Sequence, residues 1–132
     1  MKRLILTLVI LAFVATGANA DYKAYLLTEN DDPLAASCEV YPGSFEEVAL
    51  RLWVQNDVSK GLGGFELGID FGPALYMNAT VNPGVPAIIG DVLSTQFAGA
   101  FTNIQYTEYV WLVKYTFPYT GTPHMVITVP NS

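Results

Sequence analysis

The sequence predicts an all-β protein, an antiparallel β-sandwich of about eight strands. Residues 45–55 and 65–71 alternate between apolar and polar side chains, which is typical of strands covered on one side. Turn-forming residues such as Pro-Gly, Gly-Pro, Asn-Pro-Gly and Gly-Asp recur at short intervals, as they do in sandwiches. No stretch has the pattern of an amphipathic helix, although residues 92–100 are rich in small side chains and could hold one helical turn.

The clearest strand follows a glycine-rich turn in residues 61–71 (GLGGFELGIDF). Because successive side chains of a strand point to opposite faces, its large apolar residues share one face: Phe65, Leu67, Ile69 and Phe71. We expect this face to be buried by the aromatic strand at residues 109–117. We also expect the strand at residues 45–55 to pair with this strand or to lie in the opposing sheet.

The first twenty residues predict an export signal. Lys2 and Arg3 precede an apolar run at residues 4–14, and Ala18-Asn19-Ala20 fits the small-x-small pattern of a signal peptidase site. The run is shorter than the roughly 20 apolar residues that a membrane anchor needs. We therefore expect cleavage near Ala20, a single domain at residues 21–132, and a secreted, periplasmic or cell-surface location.

The charge of the expected mature chain excludes some partners. It holds four basic and twelve acidic residues, for a net charge of −8. Such a surface repels phosphate backbones, so we expect no nucleic-acid binding, and it disfavours anionic lipid. The edge strands of an open sandwich could also support dimerisation by strand addition.

The sequence predicts no enzyme. Cys38 and His124 are the only residues of their types, and no Gly-x-Ser-x-Gly motif is present. Glu66 and Asp70 are roughly 13 Å apart at the rise of a strand, too far for paired-carboxylate chemistry. Cys38 could be a buried thiol, form an intermolecular bridge, or have lost its partner through truncation of the chain at the C-terminus, and these alternatives stay open.

Two groups of residues are candidates for binding. Aromatic side chains could form a platform for sugar rings or, alternatively, pack in the core; they are Trp53, Tyr109, Trp111 and Tyr115. Alternation along residues 109–117 predicts that the last three share a face. A cluster of carboxylates in an acidic turn offers oxygen ligands for calcium, although it lacks the spaced loop of a calcium-binding motif; it consists of Glu29, Asp31 and Asp32. No other cofactor is expected.

The central third of the chain contains residues 50–58 (LRLWVQNDV), 61–71 (GLGGFELGIDF) and 73–75 (PAL). Together these stretches resemble a cohesin-type or immunoglobulin-like β-sandwich domain of secreted bacterial proteins. This resemblance implies an immunoglobulin-like fold used in adhesion and protein–protein assembly, usually as one module of a larger polypeptide. The sequence therefore predicts a non-catalytic binding or adhesion module for a protein or glycan partner. The alternative is a structural N-terminal module of a longer surface protein, with no activity of its own.

Overall fold

The computed structural model describes residues 4–7, 22–37, 39–40, 42–72, 76–119 and 125–128. These residues form ten strands and no helix: β1 (Leu4–Thr7), β2 (Lys23–Thr28), β3 (Glu39–Val40), β4 (Glu47–Gln55), β5 (Leu62–Asp70), β6 (Asn78–Val81), β7 (Ala87–Gly90), β8 (Phe97–Gln105), β9 (Tyr109–Pro118) and β10 (Met125–Thr128). Beyond residue 21, eight strands have four or more residues. The predicted all-β class and strand number are confirmed.

The strands form two sheets. One has the order β3-β1-β10-β5-β8-β7, and the other has the order β2-β4-β9-β6. All pairs are antiparallel except β1 with β10. The strands β4 and β5 therefore lie in opposing sheets, which is one of the two arrangements that the sequence predicts.

The core lies between the sheets and contains the apolar face of β5. Phe65, Leu67, Ile69 and Phe71 are all buried there, as predicted. The ring of Phe71 meets the ring of Tyr115 of β9 edge-on, with 5.0 Å between the centroids. This contact places the aromatic strand near the C-terminus against the end of the predicted apolar face, as expected.

A β-bulge in β9 separates residues that alternation places on one face. Leu52 of β4 lies opposite Val113, whereas Trp53 lies opposite Trp111, so Leu112 is the extra residue of β9. Val110 and Leu112 point into the core before the bulge, and Val113, Tyr115 and Phe117 point into it afterwards. The prediction that Tyr109, Trp111 and Tyr115 share a face is therefore wrong.

The strand β1 lies within the predicted signal peptide. In the full chain it lies between β3 and β10, with Leu6 opposite Met125 and Thr7 opposite Val126. Removal of residues 1–20 would leave β10 at the edge of this sheet, and cleavage at Ala20 stays a prediction. Within the described part of the chain, no helix is long and apolar enough to cross a membrane.

The two ends of the sandwich carry different connections. At one end, β4 and β6 begin and β2, β5 and β9 end, and residues 29–37, 42–46, 71–72, 76–77 and 91–96 lie there. We call this the loop end. The opposite end, which we call the far end, carries residues 56–61 and 106–108.

Candidate functional site

The four predicted platform residues do not form an exposed platform. Tyr115 is fully buried in the core, and Trp53 is only 4% exposed. Tyr109 and Trp111 are half-buried on the outer face of the four-stranded sheet. There, Tyr25, Trp53 and Trp111 are direct neighbours on three adjacent strands. Trp53 is therefore the middle residue of an aromatic row, with a neighbouring ring on each side.

The protein covers this aromatic row with its own cation. The guanidinium of Arg51 lies over the ring of Trp111, 4.9 Å from the centroid. Arg51 also donates from Nη1 to Asp31 Oδ1 at 3.1 Å and to the carbonyl of Asn30 at 3.3 Å. Trp111 already has the cation–π partner that a ligand would otherwise supply. The row is therefore better explained as packing on the sheet face.

The three predicted calcium ligands have other partners. Glu29 pairs with Lys114 Nζ at 2.5 Å and with Arg51 at 3.8 Å, and Asp31 pairs with Arg51. Asp32 accepts the amide N–H of Leu34 at 2.9 Å. The carboxylates of Glu29 and Asp31 are therefore paired with basic side chains, and the carboxylate of Asp32 is bound within its own turn. Calcium would have to replace these partners. Among the described residues, no three His, Cys, Asp or Glu side chains converge to hold a metal ion.

The Cys38 and His124 side chains, which the sequence analysis considers for catalysis, lie outside the described residues.

The loop end presents two aromatic residues in an unusual conformation. Phe45 has a φ of 61° and Tyr76 has a φ of 58°, and no other described residue except glycine has a positive φ. Their exposed fractions are 76% and 77%. A left-handed backbone is unfavourable for a bulky residue, and such strain is concentrated at functional sites. Because both side chains remain exposed, burial within this chain does not compensate for the unfavourable backbone conformation.

The two aromatic residues lie on opposite sides of β9. Glu47, two residues after Phe45, is opposite Pro118, and Asn78, two residues after Tyr76, is opposite Thr116. Because β4 and β6 both border β9, the two strands run about 10 Å apart, twice the spacing of adjacent strands, and their starts are offset by two residues along β9. Phe45 and Tyr76 therefore precede two strands that lie on either side of the end of β9.

Backbone hydrogen bonds hold Phe45 in place. Its N–H donates to the carbonyl of Tyr119 at 2.8 Å, and the N–H of Tyr119 donates to the carbonyl of Glu46 at 2.9 Å. The carboxylate of Glu46 in turn accepts the N–H of Gly43 at 2.7 Å. The turn that presents Phe45 is therefore tied to the end of β9.

Tyr76 borders a cleft of about 460 Å³. The cleft is lined by the end of β5, by the start of the β6 segment and by the connection before β8: Ile69, Asp70, Phe71, Gly72, Tyr76, Met77, Leu93, Ser94 and Thr95. Asp70 is exposed, and its Oδ1 accepts the N–H of Gly72 at 2.9 Å. The cleft thus combines mostly apolar walls with one carboxylate.

The connection at residues 91–96 forms a fixed wall of the cleft. The hydroxyl of Tyr115 donates to the carbonyl of Val92 at 2.7 Å, and the N–H of Ile69 donates to the carbonyl of Ser94 at 3.1 Å. Burial raises the pKa of Tyr115 well above its ordinary value, and the nearby carboxylate of Asp91 raises it further. Tyr115 therefore stays protonated at neutral pH and can donate this hydrogen bond.

Gly68 allows the same connection to cross β5. A Cβ at Gly68 would lie 2.1 Å from the carbonyl carbon of Thr95 and 2.5 Å from the nitrogen of Gln96. Both are backbone atoms that cannot rotate away. The hydroxyl of Thr128 donates to the carbonyl of Thr95 at 2.5 Å and ties the crossing to β10. The wall of the cleft at residues 91–96 is therefore held in place by β5, β9 and β10.

The charge of the loop end is strongly negative. Seven carboxylates lie at it or beside it: Glu29, Asp31, Asp32, Glu46, Glu47, Asp70 and Asp91. The basic residues in the described part of the chain that reach this end, Arg51 and Lys114, are paired with Glu29 and Asp31. Lys23, opposite Gln55, and Lys60 lie at the far end.

Sequence reasoning missed every residue of this cleft as a binding residue. The only signal in the sequence is that Phe45 and Tyr76 are large aromatic residues in segments otherwise rich in turn residues. Their left-handed conformation is visible only in the structure.

Comparisons of the chain with protein-family models, with curated proteins and with solved structures found no match. The cohesin-type resemblance therefore stays a prediction.

Proposed function

We propose that this protein is an exported, non-catalytic binding module that contacts a protein partner through the loop end. The observation that carries the proposal is the pair of exposed, left-handed aromatic residues, Phe45 and Tyr76. Export rests on the predicted signal peptide at residues 1–20. An adhesion role at the cell surface is consistent with both.

Aromatic side chains are frequent energetic centres of protein interfaces because they bury much area with few rotatable bonds. Burying one such ring contributes about 1.5–3 kcal/mol. Two such rings at one end of the sandwich would therefore anchor a partner, and the turn that carries Phe45 is already ordered by its hydrogen bonds to Tyr119.

The geometry favours a protein over a glycan. A glycan site needs polar groups aimed at sugar hydroxyls. Such a site needs donors as well as acceptors, and the described basic side chains that reach the loop end, Arg51 and Lys114, are already paired with carboxylates. The strands that follow Phe45 and Tyr76 are about 10 Å apart across β9, a spacing suited to a chain segment that crosses the end of β9.

The test is a selection of random peptides displayed on phage against the immobilised protein, with a glycan array run in parallel. The variant Tyr76→Ala removes one ring, and Tyr106→Ala removes a comparably exposed ring at the far end as the matched control. We expect selected peptides to bind Tyr76→Ala about tenfold more weakly, a loss of about 1.4 kcal/mol, and to bind Tyr106→Ala as they bind the unmodified protein.

Three results would contradict the proposal. Binding that depends on Tyr106 and not on Tyr76 would place the surface at the far end. Ligands found only on the glycan array would show that the partner class is wrong. No ligand from either source would favour a structural module.

A further inference from the structure

We propose that the cleft beside Tyr76 binds the cationic side chain of an arginine or lysine from the protein partner. This inference rests on the proposed function and specifies the chemistry that the partner must present. It follows from the lining of the cleft and from the charge around it.

The cleft has the three parts that a long cationic side chain requires. Phe71, Met77 and Leu93 line it with apolar atoms, against which the methylene stem can pack. The Tyr76 ring is 77% exposed and offers a face for a cation–π contact. Asp70 supplies the carboxylate, and among the described residues no donor reaches its Oδ2.

The surrounding charge selects a cation over an anion. Asp91 lies at the start of the connection that forms one wall, and none of the described lining residues is basic. Among the described basic residues, Arg51 and Lys114 lie nearest to the loop end, and carboxylates already neutralise them. A negative rim around a cleft attracts a basic partner and speeds its association, and it repels phosphate or sulfate groups.

The outer face of the four-stranded sheet shows the same combination within this chain. There, Arg51 lies over the Trp111 ring and bonds the carboxylate of Asp31. At the cleft, Tyr76 and Asp70 provide the ring and the carboxylate, and no described cation occupies the third position. The partner's side chain would complete the set.

Nuclear magnetic resonance can test this inference with small probes. The ¹⁵N-labelled protein is titrated with Nα-acetyl-arginine methylamide, and separately with the citrulline analogue, which has the same shape and no charge. We expect the arginine probe to shift the amide signals of Gly72, Ser94 and Thr95. We expect the citrulline probe to bind at least about tenfold more weakly, since it lacks the charge-dependent contacts.

A matched pair of variants locates the contact. Asp70 is exposed and Asp57 is half-exposed. Each accepts the N–H of the residue two positions later at 2.9 Å. Hydrogen bonds from Ser59 hold the pKa of Asp57 below its ordinary value, so it is charged at neutral pH. Asp70→Asn should weaken binding of the arginine probe about five- to tenfold. Asp57→Asn, at the far end, should leave it unchanged.

Equal binding of the arginine and citrulline probes, or shifts confined to residues near Asp57, would overturn the inference. The first result needs no variant, so a folding defect in Asp70→Asn cannot obscure it. Selected peptides that bind through Tyr76, lack arginine and lysine and are insensitive to salt would also overturn it, while leaving the proposed function intact. The absence of any Tyr76-dependent peptide would count against the proposed function itself.

Discussion

Replacing both Phe45 and Tyr76 by glycine should stabilise the protein while weakening its binding. Both residues have a positive φ, which glycine adopts without steric conflict. Both rings are more than three-quarters exposed, so their removal sacrifices little buried area. If the conformation is retained for binding, stability and affinity should change in opposite directions.

The size of the stability gain follows from two opposing terms. A left-handed conformation costs a residue with a Cβ about 1–2 kcal/mol. Glycine loses about 0.5–1 kcal/mol more conformational entropy on folding than other residues do. The net gain is therefore about 0.5–1 kcal/mol at each site. The two sites are separated by β9, so their effects should add to about 1–2 kcal/mol.

Urea unfolding followed by tryptophan fluorescence measures this gain, and the double alanine variant is the control. Alanine removes the rings and keeps the Cβ atoms, so its free energy of unfolding should stay within about 0.5 kcal/mol of the original value. Both double variants should lose binding of the selected peptides. If the glycine variant is no more stable than the alanine variant, the strain argument for the loop end is wrong.

The remaining predictions concern two residues that support the cleft, Gly68 and Tyr115, and the acidic turn at Glu29. Gly68→Ala should destabilise the protein by about 3 kcal/mol or more, because its Cβ would overlap the backbone of Thr95. Gly63→Ala on the same strand meets only an ordinary contact at 3.7 Å, and thermal melts of both variants make the comparison. Tyr115→Phe should lower the free energy of unfolding by about 1 kcal/mol through its lost hydrogen bond. Because the pKa of Tyr115 is raised in the folded state, stability should fall as the pH rises above about 10, and the fall should be shallower in Tyr115→Phe. Calcium should leave the melting temperature unchanged relative to EDTA, since Glu29 already pairs with two cations; a calcium-dependent rise that Glu29→Gln abolishes would contradict this.

The sequence predicts those parts of the fold that follow from the alternation of apolar and polar side chains. The period of two in β5 correctly predicts that Leu67 and Ile69 are buried, because one face of a strand must be covered in a sandwich. Residues 92–100 show that amino-acid composition alone does not predict local structure reliably. Their small side chains suggested a helical turn, whereas Phe97 begins β8. Gly99 is small for another reason: a Cβ there would lie 2.4 Å from the Phe65 ring.

The bulge in β9 explains why the prediction that Tyr109, Trp111 and Tyr115 share one face is wrong. A bulge inserts one residue and reverses which positions face inward, and no residue type marks it reliably in a sequence. Tyr109 and Trp111 precede the extra residue, Leu112, and Tyr115 follows it. Strict alternation along the whole strand therefore fails: if it places the residues before Leu112 on the correct face, it places those after Leu112 on the wrong one, and the reverse also holds.

The loop end was missed because its signal is a conflict between residue type and backbone conformation. Turn rules expect glycine or asparagine at positive φ, and at Phe45 and Tyr76 the sequence has aromatic residues instead. A sequence that served stability alone would resolve the conflict by substitution to glycine. Departures from local rules that bring no gain in packing are expected at functional sites. The same two residues therefore could not be identified from sequence, and for the same reason they are the strongest candidates for binding once the structure is known.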